Sequence, residues 1–505
     1  MTKGYLNISS AQDFSGAKER FIYRCLEALP AFLSWGTLVF VFILSWLSPV
    51  VAAIFVITFA CLWLLRVLYL ASHQLMGYRA MKKNLSIDWL EKIKKLKDWQ
   101  NVYHLVILPM YKEEAGIVRP SLKSLSESKY PKDKMIVVLA VEERGGEKAL
   151  ATARIMEKEF AQDFFRFIVV VHPKDIVGEV AGKGSNVNWA IKKIKGSVVD
   201  QLAIPIENIV VSNFDVDTKP YPYYFAVLTW HYLTVENPLR SSFQPIPVYN
   251  NNIWQAPAFS RVIATSGTFW QMMQQERPEQ LVTYSSHSMP LKTLLEVGYP
   301  SNVVSDDSRI FWKSYLSFDG DYRAVPLYYP VSMDAVLAET LSKTAINQYK
   351  QQRRWAWGCE NIPYLFYGFL KNKKIPWREK FRHSAIILDG FWSWAVAALL
   401  LFFLGWLPLM VGGDEFKTSL LSYNLPRTTS FIMTIAMIGM IVSATLSLLL
   451  LPPDKNKNGR LSVVLQWLLL PLTLIIFGAF PALESQTRLA WGNRLGFWVT
   501  EKIRK

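Results

Sequence analysis

The chain has 505 residues, of which 51% are hydrophobic and 14% are aromatic, and its formal net charge is +16. This length and apolar content argue against a single soluble domain and indicate a membrane protein with a soluble part. The three cysteines are scattered without metal-ligand spacing, which argues against a disulfide framework and fits a reducing cytosolic face. Lysines and arginines cluster beside apolar runs, as at residues 371–382, so membrane topology explains the positive charge better than nucleic-acid binding.

The first apolar run, residues 28–65, carries no charge. Because one span needs about 20 apolar residues, this run is long enough for two. Ser48 and Pro49 near its middle predict the turn of a helical hairpin, and one long tilted span is the alternative. Lysines between apolar positions at 86–99 predict an interfacial or ordinary surface helix, so residues 1–99 form an N-terminal helix, a hairpin and this helix.

Residues 100–335 predict a cytosolic α/β domain. Apolar runs of strand length alternate there with charged helical stretches, which is the pattern of βαβ crossovers and a mostly parallel sheet. The predicted strands are 102–108, 135–141, 167–171 and 209–214. Neither the dinucleotide-binding glycine motif nor the P-loop motif occurs in the sequence.

Residues 336–383 predict amphipathic interfacial helices, and residues 384–505 predict transmembrane segments followed by a basic tail. The apolar segments are 390–413, 428–451 and 461–483. Basic residues flank the third segment on both sides, and each side claims the cytoplasm. They are Lys455, Lys457 and Arg460 before it, and Arg488, Arg494, Lys502, Arg504 and Lys505 after it. This segment is therefore either a re-entrant hairpin or a span that leaves the tail outside.

Two carboxylates, Asp215 and Asp217, end the apolar strand pattern of residues 209–214. Strand side chains alternate between faces, so the two carboxylates point the same way if the strand continues through them. The carboxyl end of a buried strand is where open α/β sheets bind ligands. Carboxylates suit Mg²⁺ or Mn²⁺ carrying a phosphate ester, although an exposed turn would use the same residues.

Three polar patches precede this pair. Tyr111 and Glu113 follow the first strand, where a loop can hold a base or begin a helix. Glu142 and Glu143 follow the second strand, where an acid could accept from a nucleobase or lie in a solvated turn. Lys183 lies in a glycine-containing helix start, which suits a diphosphate but is also common in plain loops.

Two further patches follow it. The acid pair Asp306 and Asp307 could act chemically, or could be the first-turn acids of a helix. On a helix, Gln351, Arg354 and Trp355 share a face. Arginine can bind phosphate through two hydrogen bonds and tryptophan can form an apolar wall for a sugar ring, whereas the alternative is a basic interfacial helix with tryptophan anchors.

Together these motifs resemble the membrane-embedded family 2 glycosyltransferases, which include cellulose, chitin and hyaluronan synthases and glucosylceramide synthase. Those enzymes share a cytosolic GT-A domain with an Asp-x-Asp, a later acid pair and a Gln-x-x-Arg-Trp, which residues 215–217, 305–307 and 351–355 match in order. Residues 109–113 resemble the family's Pro-x-Tyr-Asn-Glu, and residues 183–188 resemble its Lys-Ala-Gly-Ala-Leu-Asn. The resemblance covers roughly residues 100–360 and implies a Rossmann-like GT-A domain embedded between α-helical transmembrane segments.

The resemblance also implies roles. Asp307, with Asp306 beside it, is the expected general base, and Asp217 and Asp215 are the expected ligands of Mg²⁺ or Mn²⁺. The expected contacts to the nucleotide-sugar donor are Pro109, Tyr111, Glu113, Glu142, Lys183, Asp215, Gln351, Arg354 and Trp355. Trp355 and Trp357 would shape the acceptor mouth. The family's second strand often ends in Asp-Asp-Gly where this chain has Glu142 and Glu143, which leaves open which glutamate takes that role.

The implied reaction is a metal-dependent, inverting transfer of a sugar from a nucleotide sugar to a growing polysaccharide, which the spans could export. The expected donor is a UDP-sugar. Transfer of one sugar to a membrane lipid is the alternative, because five apolar segments are few for a polymer channel. A non-catalytic scaffold or transporter is a further alternative, against which the chemically competent residues argue. We expect an integral protein of a bacterial inner membrane with its catalytic domain in the cytoplasm, in contact with membrane lipids and not with nucleic acid.

Overall fold

The structure is a computed structural model, and it describes residues 4–452, 459–496 and 498. The predicted basic residues Lys455 and Lys457, and those from Lys502 onward, lie outside the described residues. The helices of the described residues are α1 Ala17–Leu47, α2 Pro49–Leu85, α3 Trp89–Ile93, α4 Ala115–Ser126, α5 Gly146–Phe160, α6 Lys183–Ile194, α7 Tyr224–Thr234, α8 Ala258–Gln275, α9 Leu291–Val297, α10 Asp306–Ser317, α11 Leu341–Ala356, α12 Asn361–Lys371, α13 Trp377–Phe402, α14 Leu407–Val411, α15 Gly413–Lys417, α16 Leu420–Leu450, α17 Gly459–Leu465, α18 Leu470–Leu474 and α19 Phe480–Trp491.

An eight-stranded mixed sheet forms the centre of the α/β domain, in the order β3-β2-β1-β4-β7-β6-β8-β5. Its strands are β1 Tyr103–Met110, β2 Met135–Glu142, β3 Arg166–His172, β4 Ile209–Asn213, β5 Lys219–Pro220, β6 Ser241–Val248, β7 Ser288–Pro290 and β8 Arg323–Ser332. The four predicted strands are confirmed as β1 to β4, and they pair in parallel. The expectation of a mostly parallel sheet is confirmed, because β6 and β8 also pair in parallel, and the antiparallel pairings are the short ones of β7 with β4 and β6 and of β5 with β8.

The sheet is apolar on both faces because helices cover both. Along β1, Leu105 and Ile107 pack with α6 and α10 on one face, while Val106 and Leu108 pack with α4, α5 and α7 on the other. All eight residues of β2 are buried, as expected for a parallel strand covered twice. The α/β fold predicted from the sequence, flanked by long apolar helices, is confirmed.

Five stretches of the described residues are long and apolar enough to cross a membrane, judged by length and composition. They are Ala17–Leu47, Pro49–Leu85, Trp377–Phe402, Leu420–Leu450 and Arg460–Trp491. The predicted hairpin is confirmed, with Ser48 between α1 and α2. The helix predicted over 86–99 is wrong in extent: only α3 forms, and it packs on α7, with Lys92 Nζ 4.0 Å from the Trp230 ring centroid.

The third C-terminal apolar segment runs along the α/β domain. It consists of α17, a 3-10 turn, α18, a π turn and α19. Near its start, Arg261 of α8 donates to Gln466 at 2.6 Å, and further on Phe477 stacks on Phe259 at 5.3 Å. Near its end, Glu484 accepts from Arg353 of α11 at 2.7 Å. Both ends therefore contact the domain or its flanking helix, and the choice between a re-entrant hairpin and a span stays a prediction.

Helix α19 also packs along α1. Ser34 Oγ donates to Gln486 Oε1 at 2.7 Å, and Trp35 Nε1 donates to Thr487 Oγ1 at 2.8 Å. Arg24 donates to the backbone carbonyl of Leu489 at 3.0 Å. Helix α19 thus lies between α1 and α11 and joins the N-terminal hairpin to the Gln-x-x-Arg-Trp segment.

Candidate active site

The two aspartates that follow β4 lie in a turn. Strand β4 ends at Asn213, and the amide of Thr218 donates to the carbonyl of Asp215 at 2.8 Å. The condition for parallel side chains is therefore not met, and the two carboxylates have different partners. Asp215 accepts from Ser285 Oγ at 2.7 Å, whereas the buried Asp217 accepts from the backbone amide of Asp334 at 3.1 Å.

Lys183 connects the Asp-x-Asp turn to the acid pair. It is the first residue of α6, its side chain is 8% exposed, and its Nζ lies 2.7 Å from Asp215 Oδ1 and 2.9 Å from Asp307 Oδ1. Burial lowers the pKa of Lys183, but the negative charges of Asp215, Asp307 and Asp306 together raise it above its ordinary value. Lys183 is therefore a charged ammonium that lies between acids which are distant in the sequence.

Gly184 explains how the starts of α6 and α10 come so close. A Cβ atom at this position would lie 2.4 Å from the carbonyl oxygen of Pro300 and 2.9 Å from the Cβ of Asp306. Atoms do not approach so closely, so a side chain here would separate the two helix starts. The glycine after Lys183 thus allows the contact between Lys183 and Asp307.

The acid pair opens α10, and its two members differ in exposure. Asp306 is 2% exposed and accepts from Tyr299 Oη at 3.2 Å. Burial and the neighbouring Asp307 raise the pKa of Asp306 well above its usual range. The side chain of Asp307 is 25% exposed and forms the ion pair with Lys183. Of the pair, Asp307 is the carboxylate that another molecule can reach.

Several polar residues that sequence reasoning missed surround this pair. Asn213 donates to Tyr299 Oη at 2.6 Å, and the ring of His287 stacks on that of Tyr299 at 6.3 Å. Thr283 Oγ1 donates to the backbone carbonyl of Asp307 at 2.6 Å. Only Asn213 had a signal in the sequence, since it lies in the strand that leads to Asp215. The others come from loops without a recognisable motif.

A second polar group lies at the ends of β1 and β2. Glu113 accepts from the backbone amide of Tyr111 at 2.7 Å and thereby closes its own loop. The buried Glu142 pairs with Arg144, whose guanidinium lies 5.5 Å from the Tyr111 ring centroid. Burial raises the pKa of Glu142, although Arg144 opposes this.

The two glutamates after β2 therefore differ. Glu142 lies in the group with Tyr111 and Arg144, whereas Glu143 accepts from the backbone amide of Lys174 at 2.9 Å. Pro109 pairs with Ala140 within the adjacent strands. Because β2, β1 and β4 are parallel neighbours, this group and Asp215 lie at the same edge of the sheet.

The Gln-x-x-Arg-Trp residues lie on α11, where Gln351 and Trp355 line one small cavity with Tyr249. Gln351 is buried and accepts from Gln348 at 3.2 Å, and the Trp355 ring centroid lies 6.2 Å from that of Tyr249. The positive charge of Arg354 acts to lower the pKa of Asp306, although burial raises that pKa by more. Arg354 therefore lies near the acid pair.

Trp357 does not belong with Trp355. It is 2% exposed, and its Nε1 donates to Glu360 Oε2 at 3.0 Å inside the protein. The expectation that it shapes an acceptor mouth is therefore wrong, because the adjacent turn rotates its ring into the core. Trp355 remains the tryptophan of this segment that lies beside Tyr249.

Among the described residues, no group of three or more His, Cys, Asp and Glu side chains is arranged to hold a metal ion. Mg²⁺ in enzymes that act on phosphate esters commonly takes only one or two carboxylates, and phosphate oxygens and water complete its shell. Asp215 and Asp217, in the turn after β4, match that number of carboxylates.

The molecule is thus an open mixed α/β sheet between long apolar helices, with acids and a buried lysine at the carboxyl ends of its parallel strands. No protein-family model matches the sequence, and no curated protein matches it.

Solved structures match it at low identity. Mannosyltransferase PcManGT from Pyrobaculum calidifontis, in complex with GDP-Man and Mn²⁺, is 16% identical over 87% of this chain and 100% of its own, with a TM-score of 0.42. TarS 1–349 of S. aureus, in complex with UDP-GlcNAc, is 12% identical over 77% of this chain and 92% of its own, with a TM-score of 0.38. Similarities of this size assign no activity to this chain.

Proposed function

We propose that this chain is a membrane-embedded, metal-dependent, inverting glycosyltransferase that transfers a sugar from a nucleotide sugar, UDP-linked by preference, to a growing polysaccharide. One observation carries the proposal: Lys183 Nζ lies within 2.9 Å of both Asp215 and Asp307. The Asp-x-Asp, the lysine at a helix start and the second acid pair, which are separate in the sequence, thus form one ionic cluster. Such a cluster suits a reaction in which a diphosphate leaves a carbon atom and a hydroxyl attacks that same carbon.

The donor would bind along the ends of β1, β2 and β4. Tyr111, in a loop shaped by Pro109 and Glu113, and Glu142 would contact the nucleoside. Asp217, helped by Asp215, would hold Mg²⁺ or Mn²⁺, which when bound offsets negative charge on the diphosphate. Negative charge develops on the departing nucleoside diphosphate, and Lys183 and Arg354 are the cations that would stabilise it there.

Asp307 would act as the general base. It would remove the proton from the acceptor hydroxyl while that oxygen bonds to the anomeric carbon and the bond to the diphosphate oxygen breaks. Attack from the side opposite the leaving group inverts the anomeric centre. Asp306 is less suited to this role, because it is buried and bonded to Tyr299.

The acceptor would approach from the side of α11. Trp355 and Tyr249 have adjacent rings that suit the apolar face of a sugar. Gln351 would support this wall from within the helix. Acceptor and membrane lipids then meet the protein on its apolar side, which fits an enzyme of a bacterial inner membrane with its α/β domain in the cytoplasm.

Turnover tests this proposal. Detergent-purified protein with Mg²⁺ or Mn²⁺ and a lipid extract is incubated with a panel of UDP- and GDP-sugars, and release of nucleoside diphosphate is measured. We expect release with one donor and a loss of about 100-fold or more in Asp217→Ala and Asp307→Asn. Asp200→Asn is the control and should keep full activity, because Asp200 forms an exposed ion pair with Lys195.

The product distinguishes the acceptors. A ladder or a large polymer supports the polysaccharide reaction, whereas a single glycolipid supports transfer to a membrane lipid. Release that is equal in the wild type, Asp217→Ala and Asp307→Asn would show that the ionic cluster is not the active site. No release with any donor would refute the transferase proposal under these conditions.

A further inference from the structure

The turn Trp357–Glu360 lies between α11 and α12 and contacts the start of α10. Glu360, which is 7% exposed, accepts from the backbone amide of Ser305 at 2.9 Å and from its hydroxyl at 2.6 Å. The other carboxylate oxygen accepts from Trp357 Nε1 at 3.0 Å. Ser305 precedes α10 but makes no side-chain cap of its own, so Glu360 serves the helix start instead.

The next residue holds the same helix turn. Asn361 Nδ2 donates to Ser308 Oγ at 2.9 Å, and Asn361 Oδ1 accepts from Arg309 Nε at 2.6 Å. Arg309 is buried and also donates to the backbone carbonyl of Glu360 at 3.1 Å. Two consecutive residues thus fix Ser305, Ser308 and Arg309, which surround Asp306 and Asp307 in the chain.

We propose that Glu360 is a positioning residue that fixes the first turn of α10 and thereby aims the Asp307 carboxylate at Lys183. This inference rests on the proposed function. Through Trp357, Glu360 also ties this turn to the end of α11, which carries Arg354 and Trp355. The base and the helix that would meet the acceptor are therefore held as one unit.

A buried carboxylate is a costly way to hold two helices together if its role is purely structural. A buried carboxylate loses its hydration, and apolar packing could join α10 to α11 without that loss. Here the carboxylate is directed at the amide and hydroxyl immediately before the acid pair. Its removal should therefore misplace Asp307 more than it weakens the fold, and misplacement by about 1 Å can cost about 100-fold in rate.

The test is Glu360→Gln in the full chain. Glutamine keeps the size but has one acceptor oxygen where glutamate has two, so its NH₂ group must face either Ser305 or Trp357 Nε1, and the hydrogen bonds that remain are no longer strengthened by the carboxylate charge. We expect kcat to fall about 10- to 100-fold while KM for the nucleotide sugar changes less than about threefold. Ser305→Ala removes the hydroxyl, which donates to Glu360 and accepts from Asn361, but keeps the bond from the backbone amide to Glu360, and it should give a smaller loss of kcat.

Glu484→Gln is the matched control. It removes a carboxylate whose hydrogen-bond partners are Arg353 and Tyr349 on the same α11 and Arg488 on α19. It should leave kcat within about threefold of the wild type, since it makes no interaction with the reacting groups. Two results would overturn the inference. One is a kcat for Glu360→Gln that equals the kcat for Glu484→Gln. The other is a fall in kcat that is matched by a fall in the melting temperature and a rise in the KM for the donor.

Hydrogen exchange reads the position of α10 without turnover. Amides at the start of α10 should exchange faster in Glu360→Gln than in Glu484→Gln, while the strands stay protected. Unchanged exchange at this turn would overturn the inference even if the wild type proved active. If the wild type showed no turnover but the turn exchanged faster in Glu360→Gln, the holding of α10 would stand and the proposed function would fail.

Discussion

Replacing Lys183 with methionine removes the ammonium that separates Asp215 from Asp307. Its side chain is 8% exposed, and the loss leaves carboxylates facing one another in a partly buried site. Removing one partner from a buried ion pair typically costs about 3–5 kcal/mol. Lys292 provides a matched comparison, because its Nζ lies 2.9 Å from Glu207 while both side chains are more than two-fifths exposed. Such an exposed pair contributes little to stability, because water and salt screen its charges.

Thermal unfolding of the detergent-purified variants measures this difference. For a domain of this size a loss of 1 kcal/mol lowers the melting temperature by about 2–4 °C, so Lys183→Met should lower it by roughly 6–20 °C. Lys292→Met should lower it by less than about 4 °C. Equal shifts in the two variants would refute the reasoning that the buried Lys183 stabilises the acid cluster.

The deficit should also depend on pH. Burial already raises the pKa of Asp306, and without Lys183 this pKa rises further, because the positive charge of Lys183 is one of the effects that lower it. The folded state then binds protons more tightly than the unfolded state, so stability is lost as pH rises through the raised folded pKa. The difference between wild type and Lys183→Met should be smaller at about pH 5 than at about pH 8. A deficit that grows on acidification would contradict this.

Two other substitutions test the geometry around the cluster. Gly184→Ala should lower turnover more than about tenfold, because its Cβ would lie 2.4 Å from the Pro300 carbonyl oxygen. Gly196→Ala is the control and should be neutral, because a Cβ there meets nothing within 4 Å. Equal activities of the two variants would refute the close approach at Gly184. Tyr299→Phe removes a hydroxyl that donates to Asp306 at 3.2 Å. The loss of this donor disfavours the charged carboxylates and should move the acidic limb of the pH–rate profile to higher pH. Tyr315→Phe is its control, since this hydroxyl has no hydrogen-bond partner among the described residues, and an unmoved profile in Tyr299→Phe would exclude a role in setting the pKa of the base.

The strands that the sequence predicted and those that it did not differ in composition. β1 to β4 are runs of Val, Ile and Leu, and their hydrophobic pattern is sufficient to identify them. β6 and β8 contain prolines, including Pro245 and Pro330, which demote a strand in any pattern-based prediction. The structure accommodates them at the far side of the sheet, with an irregular register between Gln244 and Ile246.

The candidate site shows a similar division. The acids and the lysine could be predicted as separate motifs because each has a distinctive local pattern. Their contact could not, because Lys183 and Asp307 are 124 residues apart and their contact depends on tertiary packing, including the close approach at Gly184. Glu360 lacked any signal, because its role depends entirely on what the start of α10 contacts.

The pairing of α1 with α19 has a consequence for biosynthesis. Ser34 and Gln486 are 452 residues apart, so at about 5–20 residues per second the two helices are synthesised roughly 20–90 s apart. During that interval the polar groups on α1, including Ser34 and Trp35, need substitute partners such as water, lipid headgroups or a chaperone. Arg353 likewise acquires Glu484 only when α19 arrives. The first and the eleventh helices therefore reach their final packing only after α19 has been synthesised.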